Sequence, residues 1–274
     1  MKTLVLHSLE TSAAKKLALE LRGEIEVRKS HFRIHTKKDF DIENFRFSNN
    51  FDLNIFDNNF DYQNIKLMVS DMDSTLITVE TIDEVAKEVD LKDEISLITE
   101  AAMQGHLDFT ESFKKRLSIL KGVSNSSFES VYNKKVEFSP GAKVLIEYFK
   151  SNQIRTAVVS GGLSFFAKKL QSQLGINNCR ANNVEIINQS ITGNVIGNVI
   201  DAKEKAKYID ELCDQYKLKN DQVIAIGDGA NDIEMMKVAG LSVAYHAKPI
   251  LKQYCDIQIN YGSLASLIDF FEYA

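Results

Sequence analysis

Short apolar runs that stop abruptly at polar residues recur through most of the chain. Leu67, Met68 and Val69 end at Asp71 and Asp73, and Ala157, Val158 and Val159 end at Ser160, Gly161 and Gly162. Val223 to Ile226 run into Gly227, Asp228, Gly229, Asn231 and Asp232, and a fourth run, LSVAYHAKP, follows. Runs this short, bounded by polar residues, are the pattern of strands buried on both faces. Between them lie segments with helical signals: SPGAKVLIEYFKSNQ, opened by Pro140 and Gly141; LSFFAKKLQSQLG, closed by Gly175; residues 202–216; and the C-terminal SLASLIDFFEY. ANNVEIINQSITGNVIGNVIDA alternates apolar and polar positions around turn residues and predicts a hairpin. Buried strands alternating with helices predict an α/β fold with a doubly wound parallel sheet over residues 65–78 and 140–274, because parallel neighbours need crossover connections.

Two stretches break that rhythm. Residues 79–139 are nearly free of Gly and Pro and helical by period, with Ile82, Val85, Ala86 and Val89 on one stripe and Phe113, Leu117 and Leu120 on another. Several short helices standing on a sheet predict a small helical cap. Residues 1–64 read as a separate short α+β unit: strand MKTLVLHS, helix SAAKKLALELRG, an extended or hairpin segment EIEVRKSHFRIHT, then a linker rich in Asn, Asp and Phe. His31 and His35 lie in an extended segment, where four-residue spacing does not pair ligands, so they read as packing or surface residues.

Composition narrows the partners. With 33 Lys and Arg against 38 Asp and Glu the net charge is −5, so there is no basic footprint for nucleic acid. No apolar run approaches the ~18 residues of a membrane span, and no secretory leader opens the chain. The three cysteines, Cys179, Cys213 and Cys255, form no CxxC and no metal-ligand spacing, which suits a reducing compartment. A cytoplasmic protein acting on a small molecule is the expectation.

The chemistry is carried by the strand ends. Asp71 and Asp73, two residues apart in an extended chain, project to one side. Crowding two carboxylates is costly unless a cation neutralises them or one keeps a proton. Ligands of open α/β sheets bind beyond the carboxyl ends of the strands. If the three ends lie side by side, Asp71, Asp73, Asp228 and Asp232 converge with the Ser160 hydroxyl and the amides around Gly161 and Gly162. Hard oxygen donors in that number suit Mg²⁺, and a hydroxyl with approachable amides suits phosphate. There is no GxxxxGK[ST], and GDGAND lacks the third glycine of GxGxxG, so neither a P-loop nor a dinucleotide site is present.

These motifs, DMDST (71–75), SGG (160–162), a preceding lysine and GDGANDIEM (227–235), resemble those of the haloacid-dehalogenase-like phosphatases, Rossmann-like in fold, and among them the phosphoserine phosphatases, over residues 65–270. The resemblance implies that Asp71 is the nucleophile, forming an aspartyl-phosphate, and Asp73 the general acid and base. It further implies that Asp71, the main-chain carbonyl of Asp73, and Asp228 hold Mg²⁺, with Asp232 supporting. The active-site lysine comes from DAKEKAK, where family spacing favours Lys205 and leaves Lys203 second. Glu80 and Arg116 stand where the family grips its substrate's ammonium and carboxylate, Ser160, Gly161 and Asn231 would meet the phosphate, and Met103 and Phe109 would wall the pocket. The implied reaction is Mg²⁺-dependent hydrolysis of O-phospho-L-serine, the last step of serine synthesis. Two other readings stay open: a phosphatase or phosphotransferase acting on another small phosphorylated amine or amino acid, or a catalytically idle ligand-binding module on the same fold. Some members of the family carry an amino-acid-sensing module at this place; the N-terminal unit is short, its sequence pattern does not identify it as one, and it is a candidate element for packing or a homodimer.

Overall fold

The computed structural model describes residues 1–47, 50–103 and 106–271, the side chains of Phe47 and Met103 excepted. It contains two sheets. The first is built from β1 (Lys2–Leu6), α1 (Thr11–Leu21), β2 (Glu24–Val27), β3 (Phe32–Thr36), α2 (Ile42–Phe47) and β4 (Leu53–Phe56), in strand order β2-β3-β1-β4 with every neighbour antiparallel. β3 lies between β1 and β2, a split β-α-β arrangement. Leu4, Leu6, Phe32, Ile34 and Leu53 pack against Leu17 and Leu21 of α1 on one face. Val5 and Phe56 point the other way, into the large core.

The turn-rich segment read as a linker is thus partly strand. β4 pairs with β1 from Thr3↔Phe56 to Leu6↔Leu53. Four residues among Asn, Asp and Phe carry little periodic signal, and their partners decide the matter. Asp52 accepts from the amides of Asn260, Tyr261 and Gly262, at 2.6–3.2 Å, and the Asn54 side chain makes paired bonds of 2.9 Å with the main chain of Gln258. The small sheet is therefore bonded to the end of the large one.

The large sheet follows. β5 (Leu67–Ser70) leads into four helices, α3 (Thr81–Glu88), α4 (Lys92–Met103), α5 (Phe109–Ile119) and α6 (Asn125–Lys135). Then come α7 (Ala142–Ser151), β6 (Arg155–Leu163), α8 (Ser164–Leu174), the hairpin β7 (Asn178–Ile187) and β8 (Ser190–Ile196), and α9 (Ala202–Tyr216). β9 (Val223–Gly227), α10 (Ile233–Val238), β10 (Leu241–Tyr245), α11 (Pro249–Lys252) and β11 (Ile257–Ile259) complete it. Strand order is β11-β10-β9-β5-β6-β7-β8, parallel except for the terminal β7-β8 hairpin. Alternate residues of β5 face opposite layers: Leu67 and Val69 pack with Ile209, Leu212 and Met236, while Met68 packs with Leu145, Phe149 and Phe166. Each apolar run is consequently apolar throughout, as the pattern predicted.

The segment read as a C-terminal helix is a 3₁₀ helix, Leu264–Phe270. Leu264, Leu267 and Phe270 recur every three residues and are all buried, the period at which side chains eclipse in a 3₁₀ helix. Its Asp269 is buried between the two sheets, 2.7 Å from His7 Nδ1, 3.3 Å from His31 Nδ1 and accepting from Ser30 Oγ at 2.6 Å. Burial pushes this carboxyl up, but the hydrogen bonds from His31 and His7 outweigh it and bring it well below the ordinary range. His31 therefore packs at a junction, and His35 bonds Glu26 and Thr3. Among the described residues no helix is long and apolar enough to cross a membrane.

Candidate active site

The chain runs from β5 to β6 and β7 on one side and returns to β9, β10 and β11 on the other, so a switch in strand order sits at β5. Such a switch opens a crevice beyond the carboxyl ends. Register brings the motifs level: Ser70 pairs with Val158 on one side and Ile226 on the other, two residues before Ser160 and Asp228 respectively. The Asp71 amide continues the ladder to the Ile226 carbonyl at 2.9 Å.

Lys205 is the centre of the core side. It is fully buried, and its Nζ lies 2.9 Å from Asp71 Oδ1 and 2.6 Å from Asp232 Oδ1. α9 carries it there because Lys205 stands three, four and seven residues before Tyr208, Ile209 and Leu212, all on the buried face. Lys203 and Lys207 face solvent. Asp201 caps this helix, accepting from the Glu204 amide at 2.9 Å. Asp232 Oδ2 accepts from the amides of Asp228 and Gly229 at 3.1 and 3.2 Å, and Asp71 Oδ1 from the Met72 amide at 2.8 Å.

Asp71, Asp228 and Asp232 each offer an oxygen within 4.8 Å of the others. One lysine against three carboxylates leaves the cluster two negative charges in excess. Burial, then Asp232, lift the Asp71 carboxyl well above its ordinary range despite Lys205. Burial and the same neighbour push Asp228 up to about 7. Burial would lower Lys205, but Asp232 and Asp71 raise it, so it stays charged. An all-oxygen donor set with this excess fits a hard divalent cation.

Asp73 is placed differently. Met72, between the two acids, is buried in the core, and the Asp73 carboxylate turns from the cluster to Thr81, accepting from its amide at 3.1 Å and its hydroxyl at 3.3 Å. Burial, then Glu80, push Asp73 up to about 8. It stands apart from the three-acid group, leaving its main-chain carbonyl as the ligand that the resemblance assigns.

Above these groups is a cavity of 790 Å³. Ser160, Gly161 and Asn231 line its core side, and Glu80, Phe109 and Arg116 the helical side. Ser160 Oγ accepts from the Gly162 amide at 2.8 Å. Gly161 lies under Phe109, whose Cζ would be 2.5 Å from a Cβ there. Glu80 accepts from Ser74 Oγ at 2.7 Å. Among the described residues Arg116 has no carboxylate within 4.0 Å, and its Nε is buried without a hydrogen-bond partner. Burial lowers its pKa against the opposing pull of Asp83, Glu80 and Asp73. A guanidinium so placed is set for an anion from outside the chain. The Met103 side chain lies outside the described residues.

Four contributors went unread in the sequence. Thr81 holds Asp73; Asp83 and Lys248 line the cavity; and buried Asn182 fixes the SGG loop by donating to the Gly161 carbonyl at 2.8 Å while accepting from the Ile200 amide at 2.8 Å. Thr81, opening a helix after an acidic motif, offered a weak signal as a first-turn donor, and Lys248 stood in the run AYHAKP, which resembles the loop that follows in that family; Asp83 and Asn182 offered none.

A family model described as haloacid dehalogenase-like hydrolase matches residues 68–237. A phosphoserine phosphatase of Polaromonas sp. is 42% identical over 209 residues, covering 74% of this chain and 89% of that one. Among solved structures, a haloacid-dehalogenase-family hydrolase from Salmonella enterica serovar Typhi superposes with a TM-score of 0.91 at 27% identity, covering 99% of this chain and 98% of that one. A phospho-aspartyl intermediate analogue of phosphoserine phosphatase superposes at 0.70 with 36% identity, over 75% of this chain and 98% of that one.

Proposed function

The chain belongs to the haloacid dehalogenase-like hydrolases, and from that premise we propose that it hydrolyses O-phospho-L-serine to L-serine and phosphate, closing serine synthesis. One observation carries the reading. Asp71, held by Lys205, which Asp232 also binds, shares one cavity with the Arg116 guanidinium, whose Nε is buried and, among the described residues, without a hydrogen-bond partner. The first arrangement suits a phosphoryl group and the second a substrate carboxylate.

In this reading Asp71 attacks phosphorus, forming an aspartyl-phosphate as the bond to the serine oxygen breaks. The Asp73 carboxyl, kept protonated near neutrality by its burial, passes its proton to that oxygen. A water then attacks the aspartyl-phosphate, returning a proton to Asp73 and freeing Asp71. Lys205 neutralises Asp71 and the phosphoryl oxygens as a point charge. Ser160, Gly161 and Asn231 hold the phosphate; Glu80 takes the ammonium and Arg116 the carboxylate. Asp71, the Asp73 carbonyl and Asp228, backed by Asp232, would hold Mg²⁺, which when bound lets an anionic nucleophile approach an anionic substrate. Residues 79–139 act as the cap that excludes water, and Phe109 is its contact with the Gly161 loop.

The test is phosphate release over a panel of small phosphomonoesters, with Mg²⁺ and with EDTA. EDTA-sensitive release from phosphoserine above the rest supports the reading, and none from phosphoserine sinks it.

A further inference from the structure

Thr81 is fully buried and is the first residue of α3, the helix that opens the cap. The first-turn amides of a helix have no partner within it, and Glu80, at the capping position, makes no side-chain cap bond. Asp73, eight residues earlier, takes that role: Oδ1 accepts from the Thr81 amide at 3.1 Å and Oδ2 from its hydroxyl at 3.3 Å. On the opposite side the same Oδ2 borders Gly162, where an added Cβ would lie 2.7 Å from it and 3.1 Å from Ser160 Oγ. The carboxyl is held between a threonine of the cap and a glycine of the core, apart from Asp71, Asp228 and Asp232.

We propose that Thr81 is a positioning residue for the Asp73 carboxyl, and that Gly162 is the space which that position requires. The inference rests on the reading of Asp71 as nucleophile and Asp73 as proton donor. Its consequence is mechanical: the donor is bonded to the first turn of the cap, so the seating of α3 sets where the proton is delivered. In the first half-reaction the bond from Asp71 to phosphorus forms, the bond from phosphorus to the serine oxygen breaks, and the Asp73 proton moves to that oxygen. Serine is a poor leaving group without that proton. 4-Nitrophenolate leaves as a stable anion and needs none.

The experiment compares first turnovers of full-length protein with Mg²⁺, by rapid quench for phosphoserine and by the 4-nitrophenolate burst for 4-nitrophenyl phosphate. Thr81→Val keeps the volume and the amide and removes only the hydroxyl. It should slow the phosphoserine turnover by roughly 10-fold, the loss of one hydrogen bond that orients the acid. The burst should stay within about threefold of wild type, since no leaving-group proton is needed. Thr81→Ser should restore the phosphoserine rate, while Gly162→Ala, which crowds Ser160 Oγ as well as the carboxyl, should slow both turnovers. Thr81→Ala serves the same comparison should the valine variant fail to fold. An active wild type whose Thr81 variants slow both turnovers alike, or neither, overturns this inference alone. A wild type inactive on both substrates overturns the phosphatase reading and this inference with it.

Discussion

The two walls of the cavity are built on opposite principles. On the core side the reactive groups are already held by partners within the chain: Lys205 bridges Asp71 and Asp232, and Asp232 is further held by two amides. On the helical side Arg116 has, among the described residues, no carboxylate within 4.0 Å and a buried Nε without a partner, while Glu80 and Asp83 line the same space. The lesson is a division of labour. Chemistry common to all phosphate esters is preassembled in the sheet, where rigidity lowers reorganisation during reaction. Under the proposed function, recognition of one ester falls to groups that a ligand completes.

Removing the nucleophile is the severest way to break the comparison. Asp71→Asn keeps the shape and should lower turnover by roughly 10⁴-fold or more, with circular dichroism and melting behaviour close to wild type. Retained activity would remove Asp71 from its role. Lys205→Met tests whether the core wall is also structural. It leaves buried acids without their counter-charge, so stability should fall by about 3 kcal/mol in denaturant titration at neutral pH, with activity falling too.

A milder probe sharpens the electrostatics of that wall. Asp73 and Asp228 are raised to about 8 and about 7, so the folded chain binds more protons than the unfolded one between the ordinary carboxylate pKa and those values. Metal-free protein should therefore lose stability as pH climbs through that window. Mg²⁺ binding needs the ionised acids and should offset the loss, by about 2.7 kcal/mol at a hundredfold excess over Kd. The gap in melting temperature between Mg²⁺ and EDTA samples should widen from acid toward pH 8; a gap that narrows would exclude a cation on these acids. The smallest effect belongs to the other wall. Arg116→Lys keeps the charge but not the two-pronged grip, so kcat/KM on phosphoserine should fall about 10-fold. Phosphoethanolamine, which lacks the carboxylate, should be hardly affected, and equal loss on both would shift the preferred substrate away from phosphoserine.

Much of the core wall was legible along the chain. The apolar runs 67–69, 157–159 and 223–226 are β5, β6 and β9, and the segment 202–216 is α9 residue for residue. Such runs are legible because burial on both faces demands apolar residues throughout. The choice of Lys205 over Lys203, reached by family spacing, follows equally from the helical period of Tyr208, Ile209 and Leu212. Less was legible where partners are distant. β4 and β11 are four and three residues long and went unseen, because their strand character comes from pairing and from the bonds of Asp52 and Asn54 to residues 258–262.

By itself the sequence determined which residue types stand at the ends of which strands, because that depends on local spacing and burial, and the resemblance of those motifs pointed to the family and its phosphoryl chemistry. Only the tertiary structure decided that Asp73 turns from the acid cluster to Thr81, that Asn182 pins the SGG loop, and that Arg116 Nε is buried without a partner among the described residues. Those facts belong to contacts between segments that converge only when the sheet has formed and the helices have closed over it.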